Sequence, residues 1–425
     1  MNESRAQVFV LAGARLADTT GNGFLIVLLP AYLSSSLFSP SLSAGPIFLA
    51  SGTMIGIAVS AYSYVSAGLQ PYTGRLSDWV GVRRPFVLLG LGIVGVGNLL
   101  YPLAETYGYV VAVHAIQGLG AALALPASMA IINDITRRSN RGGNMGIFNS
   151  IRLLGYVIGP VLAGFLITNG PYTLSFGGFS SQISGFQIAF WGAGCFAFIG
   201  MALVVAFVTE PAVQPTTEEN KTSLTILGHN QLFHPVFALA IATFLMSVTV
   251  DLIVALQSDI NSHLGQTASE FGLQYSALIM AVVLLIIPFG IASDRFGRRP
   301  FLLGGVVLLI PVIAVQGFIQ SELLMVAARF TQGIAMAMAF APSLAFAGDF
   351  ASSGQSGQWM AVITSAYGFG RASGPAIGGF LGSFGYVIPF LAGGLISVIA
   401  MLLIVTQVGY SDRFQPVPGG VTSDS

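Results

Sequence analysis

Apolar residues dominate this chain in long runs, separated by short polar breaks. Helix-length apolar stretches cover 7–33, 46–72, 84–104, 107–135, 143–168, 186–209, 235–262, 270–292, 299–319, 322–348, 357–382 and 385–408. A spanning helix needs about 20 predominantly apolar residues, so the pattern predicts twelve crossings. Backbone amides cannot stay unpaired in hydrocarbon, which leaves helices or a closed barrel. None of the runs alternates strictly with period two, which excludes the barrel. The predicted fold class is an all-α integral membrane protein.

Composition agrees. Hydrophobic residues make up 54% and charged residues only 8%, against about a quarter charged in soluble domains. Net charge is zero and no basic block occurs, so nothing points to nucleic acid. The first run reads as a retained helix, because Arg15 and Asp18 would interrupt the apolar core of a cleaved signal. A lone cysteine, Cys195, rules out an intramolecular disulfide and a cysteine metal cluster.

Of the 16 Lys and Arg residues, Arg15, Arg152, Arg329 and Arg371 fall inside spans. All the others lie at the termini or in turns that twelve crossings place on one side. The opposite loops hold Glu105, Asp259, Glu270 and Glu322 without any Lys or Arg. Positive charge marks the cytoplasmic side, so both termini are expected there. The polar stretch 210–234 reads as a cytoplasmic linker between six-helix units at 1–209 and 235–408, with a tail at 409–425. Residues 169–185, rich in Gly and Ser, read as a flexible connector on the far side.

The two units repeat one another at an offset of about 215 residues. Gln117-Gly118 and Asp134 align with Gln332-Gly333 and Asp349, and Gly155, Gly159, Pro160, Gly164 and Phe165 with Gly370, Gly374, Pro375, Gly379 and Phe380. Charged turns recur too, as GRLSDWVGVRRPF (74–86) and GIASDRFGRRPF (290–301). Two parallel six-helix halves suit a transporter that rocks one bundle against the other.

These motifs resemble those of the major facilitator superfamily along the whole chain. In the first turn Gly74, Leu76, Asp78, Gly81 and Arg83 match the family signature, while Trp79 and Val82 replace its usual basic residues. Gly290, Asp294, Arg295, Gly297, Arg298 and Arg299 match it more closely, making the second copy the fuller one. The resemblance implies that these turns latch the halves together on the cytoplasmic side when the site faces outward; their arginines also fix topology. Gly81 and Gly297 permit a tight turn with positive φ. In the fifth span, Gly155, Gly159, Pro160, Ala163 and Gly164 resemble the family's antiporter signature, which implies export in exchange for protons. Small residues at this spacing also make a packing face.

An ionisable side chain inside a span costs at least about 2.5–3.5 kcal/mol and marks a site by default. The candidates are Arg15, Asp18, His114, Arg152, Asp251, Arg329 and Arg371. Arg15 and Asp18 are three residues apart and can pair on one face, as a structural pair or as part of the site. Arg152 and Asp251 sit near mid-span in different halves, placed to face each other across a cavity, and either Arg152 or Arg371 is expected to offset the charge of Asp251. Asp251 is the first candidate for a proton-carrying acid and Asp18 the second. His114 stands where the family usually has Arg, which Arg329 retains; it reads either as a proton relay or as a packing histidine.

Neither a nucleophile–base arrangement, a metal-ligand cluster nor a phosphate-binding loop is recognisable, so an enzyme or ATP-driven pump is disfavoured. The expectation is a cofactor-free, monomeric, multi-pass transporter of a small organic solute in the plasma membrane, driven by an ion gradient. Proton-coupled efflux leads; uptake or exchange of an organic anion held by the intramembrane arginines is the alternative.

Overall fold

A computed structural model of the chain describes residues 3–35, 51–136, 141–176, 179–210, 233–349 and 356–408. The expected linker (210–234) and tail (409–425) fall almost wholly outside these residues. The first half comprises α1 (Glu3–Ser34), α2 (Ser51–Val80), α3 (Arg84–Leu100), α4 (Tyr107–Ile135), α5 (Arg141–Thr168) and α6 (Gly185–Phe207). The second comprises α7 (Pro235–Asp251), α8 (Gln257–Leu264), α9 (Ala268–Phe296), α10 (Arg298–Gln316), α11 (Glu322–Asp349), α12 (Ser356–Gly382) and α13 (Ile388–Gln407). A short 3-10 turn, Val254–Leu256, joins α7 to α8, so the seventh crossing is one span in two pieces. Eleven spans among the described residues are long and apolar enough to cross a membrane. The remaining crossing, α12, is the eleventh in order and carries Arg371 amid Gly and Ser.

Local chemistry sets the helix ends. Thr106 caps α4 by accepting the Tyr109 amide. Ser184 with Gln187 and Thr267 with Glu270 form reciprocal capping boxes that satisfy the first amides of α6 and α9. Gly81 and Gly297 take φ of 73° and 94° at the charged turns, a region that glycine alone enters without steric cost.

Two expectations need correction. The second and eighth crossings run past the apolar stretch to Val80 and Phe296. Gly74, Asp78, Gly290, Asp294 and Arg295 therefore lie on final helical turns, and the turns proper shrink to a few residues. The expected connector at 169–185 is instead an antiparallel hairpin, Tyr172–Phe176 with Phe179–Ile183. Tyr172, Leu174 and Phe176 alternate with Thr173 and Ser175, the period-two pattern of a strand.

The halves pack alike. In the first, α1 lies against α5 and α6, and α3 against α4; in the second, α7 lies against α12 and α13, and α10 against α11. Between halves, α2 meets α12 and α5 meets α9. Glycines make both seams. A Cβ on Gly56 would stand 2.7 Å from the Pro375 carbonyl carbon, and one on Gly272 would stand 2.8 Å from that of Pro160. Real Cβ atoms do not come that close to backbone, so only glycine lets these helices touch.

Three hydrogen bonds link the halves among the described residues. The Ser276 hydroxyl donates to the Val157 carbonyl at 2.6 Å, Thr168 Oγ1 to Thr267 Oγ1 at 3.3 Å, and the Tyr64 and Ser373 hydroxyls meet at 2.7 Å. All lie at mid-helix or toward the end away from the charged turns. The halves are joined on the face opposite those turns.

Candidate functional site: a charged central cleft

Where the halves meet, the intramembrane charges gather at one level. Thr19 Oγ1 donates to the carbonyl of Arg15 at 2.7 Å and to that of Arg152 at 2.6 Å, tying α1 to α5. Gly155, one turn on from Arg152, allows this approach, since a Cβ there would press on the Leu16 carbonyl at 2.7 Å. Arg15 Nη1 and Asp18 Oδ2 are paired at 2.8 Å, both buried. Arg152 itself has no hydrogen bond or ion pair through its side chain among the described residues, and its Nε is buried without an acceptor.

In the second half, Gly370 and Gly374 do the same for α12 against α7, Gly374 lying against the backbone of Asp251. This brings Arg371 Nε to 2.6 Å from Asp251 Oδ2. The Tyr275 hydroxyl donates to Asp251 Oδ1 at 3.0 Å and accepts from Arg371 Nη2 at 2.8 Å. Asp251, Arg371 and Tyr275 thus form a closed ring of three bonds. Behind it Arg329, fully buried, donates to Gln332 at 2.6 Å and lies 5.9 Å from the centre of the Tyr275 ring. Its Nε and Nη2 have no acceptor.

Of the two arginines expected to offset Asp251, Arg152 does not pair with it. Arg371 on the neighbouring helix claims the carboxylate first. Arg152 lies within electrostatic range of Arg15, Arg371 and Asp18, with Tyr156 and Tyr367.

His114 sits behind this cleft in a packed network. Its Nδ1 contacts the Tyr101 hydroxyl at 2.8 Å and Gln117 Oε1 at 3.2 Å, and its ring stacks on Tyr62 with centroids 5.2 Å apart. Tyr62 separates it from Arg15, Asp18 and Arg152.

The charged turns make their contacts within each half. Arg83 Nη1 meets Asp78 at 2.5 Å and Ser77 Oγ at 2.9 Å, while its Nε meets Asp134 at 3.4 Å. Arg298 contacts Asp294, Ser293 at 3.0 Å and Asp349 at 3.2 Å in the same way. Each cluster closes inside its own half, so among the described residues neither turn bridges the halves in this conformation. The first copy is not the weaker one either. Val82 is one extra residue in the loop, Trp79 points outward at 66% exposure, and Arg83 fills the role of Arg298. Arg75 and Arg295 are exposed. The carboxylate of Glu210 adds a contact absent from the sequence reading, accepting the amides of Arg83 and Arg84 at 2.5 and 2.8 Å.

The glycine-proline stripes divide their faces. Gly155 and Gly159 pack on α1, while Pro160 and Gly164 pack on α9 of the other half; Gly374 and Gly378 on α7, and Pro375 and Gly379 on α2, mirror them.

Tyrosines were the missed element. Arg152 and Tyr156 stand four apart on α5, and at an offset of 215 α12 carries Tyr367 and Arg371 in swapped order. Each half therefore presents one arginine and one tyrosine to the cleft. The aligned segments contained this signal, hidden by the more conspicuous glycines.

Paired six-helix halves, glycine-lined seams and a charged cleft between them define a membrane transporter built for alternating access, not an enzyme. The family model described as Major Facilitator Superfamily matches residues 24–255 and 239–420, and the chain belongs to that family. It is 24% identical over 415 residues to multidrug resistance protein 2 of Bacillus subtilis (strain 168), covering 94% of this chain and 95% of that protein. Among solved structures, the human organic anion transporter MFSD10 (TETRAN) superposes with a TM-score of 0.62 at 20% identity, over 95% of this chain and 100% of the other. An inward-facing, unoccupied bacterial homologue of the human lysosomal transporter Spinster superposes with a TM-score of 0.69 at 13% identity, over 96% and 95%.

Proposed function

We propose that the protein is a proton-linked exporter of small organic solutes, with Asp251 as the proton carrier. The observation that carries this reading is the Asp251–Arg371–Tyr275 ring, in which a mid-membrane carboxylate depends on one guanidinium for its charge balance. A proton arriving at Asp251 cancels that charge and frees Arg371; its loss restores the pair. The charge lining the cleft therefore changes with each proton, which is what coupling requires. A cationic solute would compete with the proton for Asp251 and move against it, as in antiport. An anionic solute would take the freed Arg371 and move with the proton, which an inward proton gradient turns into uptake, the second reading below. The multidrug-resistance name of the Bacillus subtilis relative supports export.

Arginines at the charged turns support a plasma-membrane orientation with both termini cytoplasmic. On that orientation the joined end is extracellular and the cleft opens inward. The bundles 1–209 and 235–408 would rock as bodies about the α2–α12 and α5–α9 seams, joined by the linker 210–234, in a monomer. The turns at Asp78 and Asp294 would brace each bundle at its cytoplasmic edge.

The second reading, uptake or exchange of an organic anion, is favoured by one observation: four intramembrane arginines face only two aspartates, Asp18 and Asp251. Proteoliposomes loaded with a pH dye test the lead. Solute-induced proton movement that disappears in Asp251→Asn supports it. Anion exchange that needs no proton gradient and is abolished by Arg152→Gln contradicts it.

A further inference from the structure

We propose that the solute is a flat organic anion, gripped between Arg152 and Arg371 with Tyr156 and Tyr367 against its faces. The inference rests on this cleft being the transport site, and on neither the direction of transport nor the coupling ion.

Charge is the first argument. Asp18 is held by Arg15 and Asp251 by Arg371. Arg152 and Arg329 are left without a carboxylate among the described residues. A buried cation without a partner is costly, and so are like charges brought together. Here Arg152 lies in range of both Arg15 and Arg371, and the one carboxylate in its range, Asp18, is already paired with Arg15. Arg329 is walled off behind Tyr275, whereas Arg152 and Arg371 are only partly buried and can be reached. An incoming anion relieves this surplus. An incoming cation adds to it and finds both carboxylates engaged.

Shape is the second. Guanidinium groups recognise carboxylate, sulfonate or phosphate oxygens as planar forks. Two of them approach from opposite halves, each four residues from a tyrosine on its own helix. The Arg371 guanidinium lies 5.9 Å from the centre of the Tyr367 ring, and Phe340 backs that ring with centroids 4.4 Å apart. Such walls favour an aromatic body through stacking. Tyr367 lies in range of both guanidiniums and Tyr156 in range of Arg152, so a flat solute bridging Arg152 and Arg371 can meet both rings.

Equilibrium binding to the purified full chain in detergent tests this by calorimetry, with no ion gradient present. The probes share one ring system: 2-naphthalenesulfonate, 2-naphthylmethylammonium and 2-naphthalenemethanol, with cyclohexanesulfonate as the non-planar anion. The naphthalenesulfonate should bind at least tenfold more tightly than the ammonium or the alcohol, and several-fold more tightly than cyclohexanesulfonate. Arg152→Gln should lose at least tenfold for both sulfonates; Arg152→Lys, which keeps the charge and loses the fork, should fall between and guards against a misfolded glutamine variant. Tyr156→Leu and Tyr367→Leu should weaken the naphthalene probe and spare the cyclohexane one. Ammonium binding as tight as the sulfonate, no sulfonate binding, or unchanged affinity in either Arg152 variant would overturn the assignment. Sulfonate binding without any proton movement in liposomes leaves the solute class standing and removes the proton role of Asp251. Proton movement with a preference for the ammonium does the reverse.

Discussion

Arg371 holds Asp251 at 2.6 Å from the facing helix, and Tyr275 closes the pair into a ring. The arrangement decides between the two arginines that the sequence offered to Asp251 and leaves Arg152 without it. In the proposed mechanism the protonation of Asp251 is the switch for the cleft. Neutralising either partner should therefore have unequal consequences. Arg371→Gln leaves a buried carboxylate without its cation, a kind of change that costs roughly 3–5 kcal/mol when burial is complete and less here, since Arg371 is partly exposed. Asp251→Asn together with Arg371→Gln should recover most of the loss in thermal stability, because the hydrogen-bonding shape survives without charge. A double variant no more stable than Arg371→Gln would mean that the two charges do not depend on each other.

The seal opposite the charged turns makes a second prediction. With Cys195 replaced by Ala, Thr168→Cys and Thr267→Cys should cross-link readily under mild oxidation, since their hydroxyls stand 3.3 Å apart. The linked protein should stop transporting and recover on reduction. Adding Gly272→Leu, which forces a side chain against Pro160, should sharply reduce the yield of the cross-link. Efficient cross-linking in that quadruple variant would show that the glycine contact does not hold the seam.

A third concerns the turns. Arg83 is more deeply buried than Arg298, at 6% against 19% side-chain exposure, and both make the same set of contacts. Arg83→Gln should lower thermal stability by more than Arg298→Gln, in the range of about 1–3 kcal/mol expected when buried polar partners lose their donor. The opposite ranking would restore the view that the second copy is the stronger.

His114 supplies a fourth. It is buried against Tyr101, Gln117 and Tyr62 and does not line the cleft. His114→Gln, which keeps a polar partner for Tyr101, should leave the pH profile of transport unchanged while lowering stability. A shifted pH profile would make it a proton relay.

The sequence made the architecture readable because hydrocarbon enforces it: twelve apolar runs, a repeat at 215 residues and one-sided arginines leave little freedom. The intramembrane charges were legible for the same reason, as Arg15 with Asp18 illustrates. Pairing was not. Which arginine meets Asp251 depends on how closely Gly370 and Gly374 let α12 approach α7, a three-dimensional distance that no spacing along one helix encodes. Tyr156, Tyr275 and Tyr367 were passed over because an uncharged tyrosine in an apolar span does not stand out until its neighbours on other helices are known. The hairpin at 172–183 was hidden by its Gly and Ser content, although its alternation was present.

The most direct test of Asp251 as the proton carrier is internal pH in proteoliposomes containing wild type or Asp251→Asn, recorded while a bound solute is added. Wild type should move protons on addition. Asp251→Asn should still bind the solute and move none. Proton movement in Asp251→Asn at the wild-type rate would contradict the assignment.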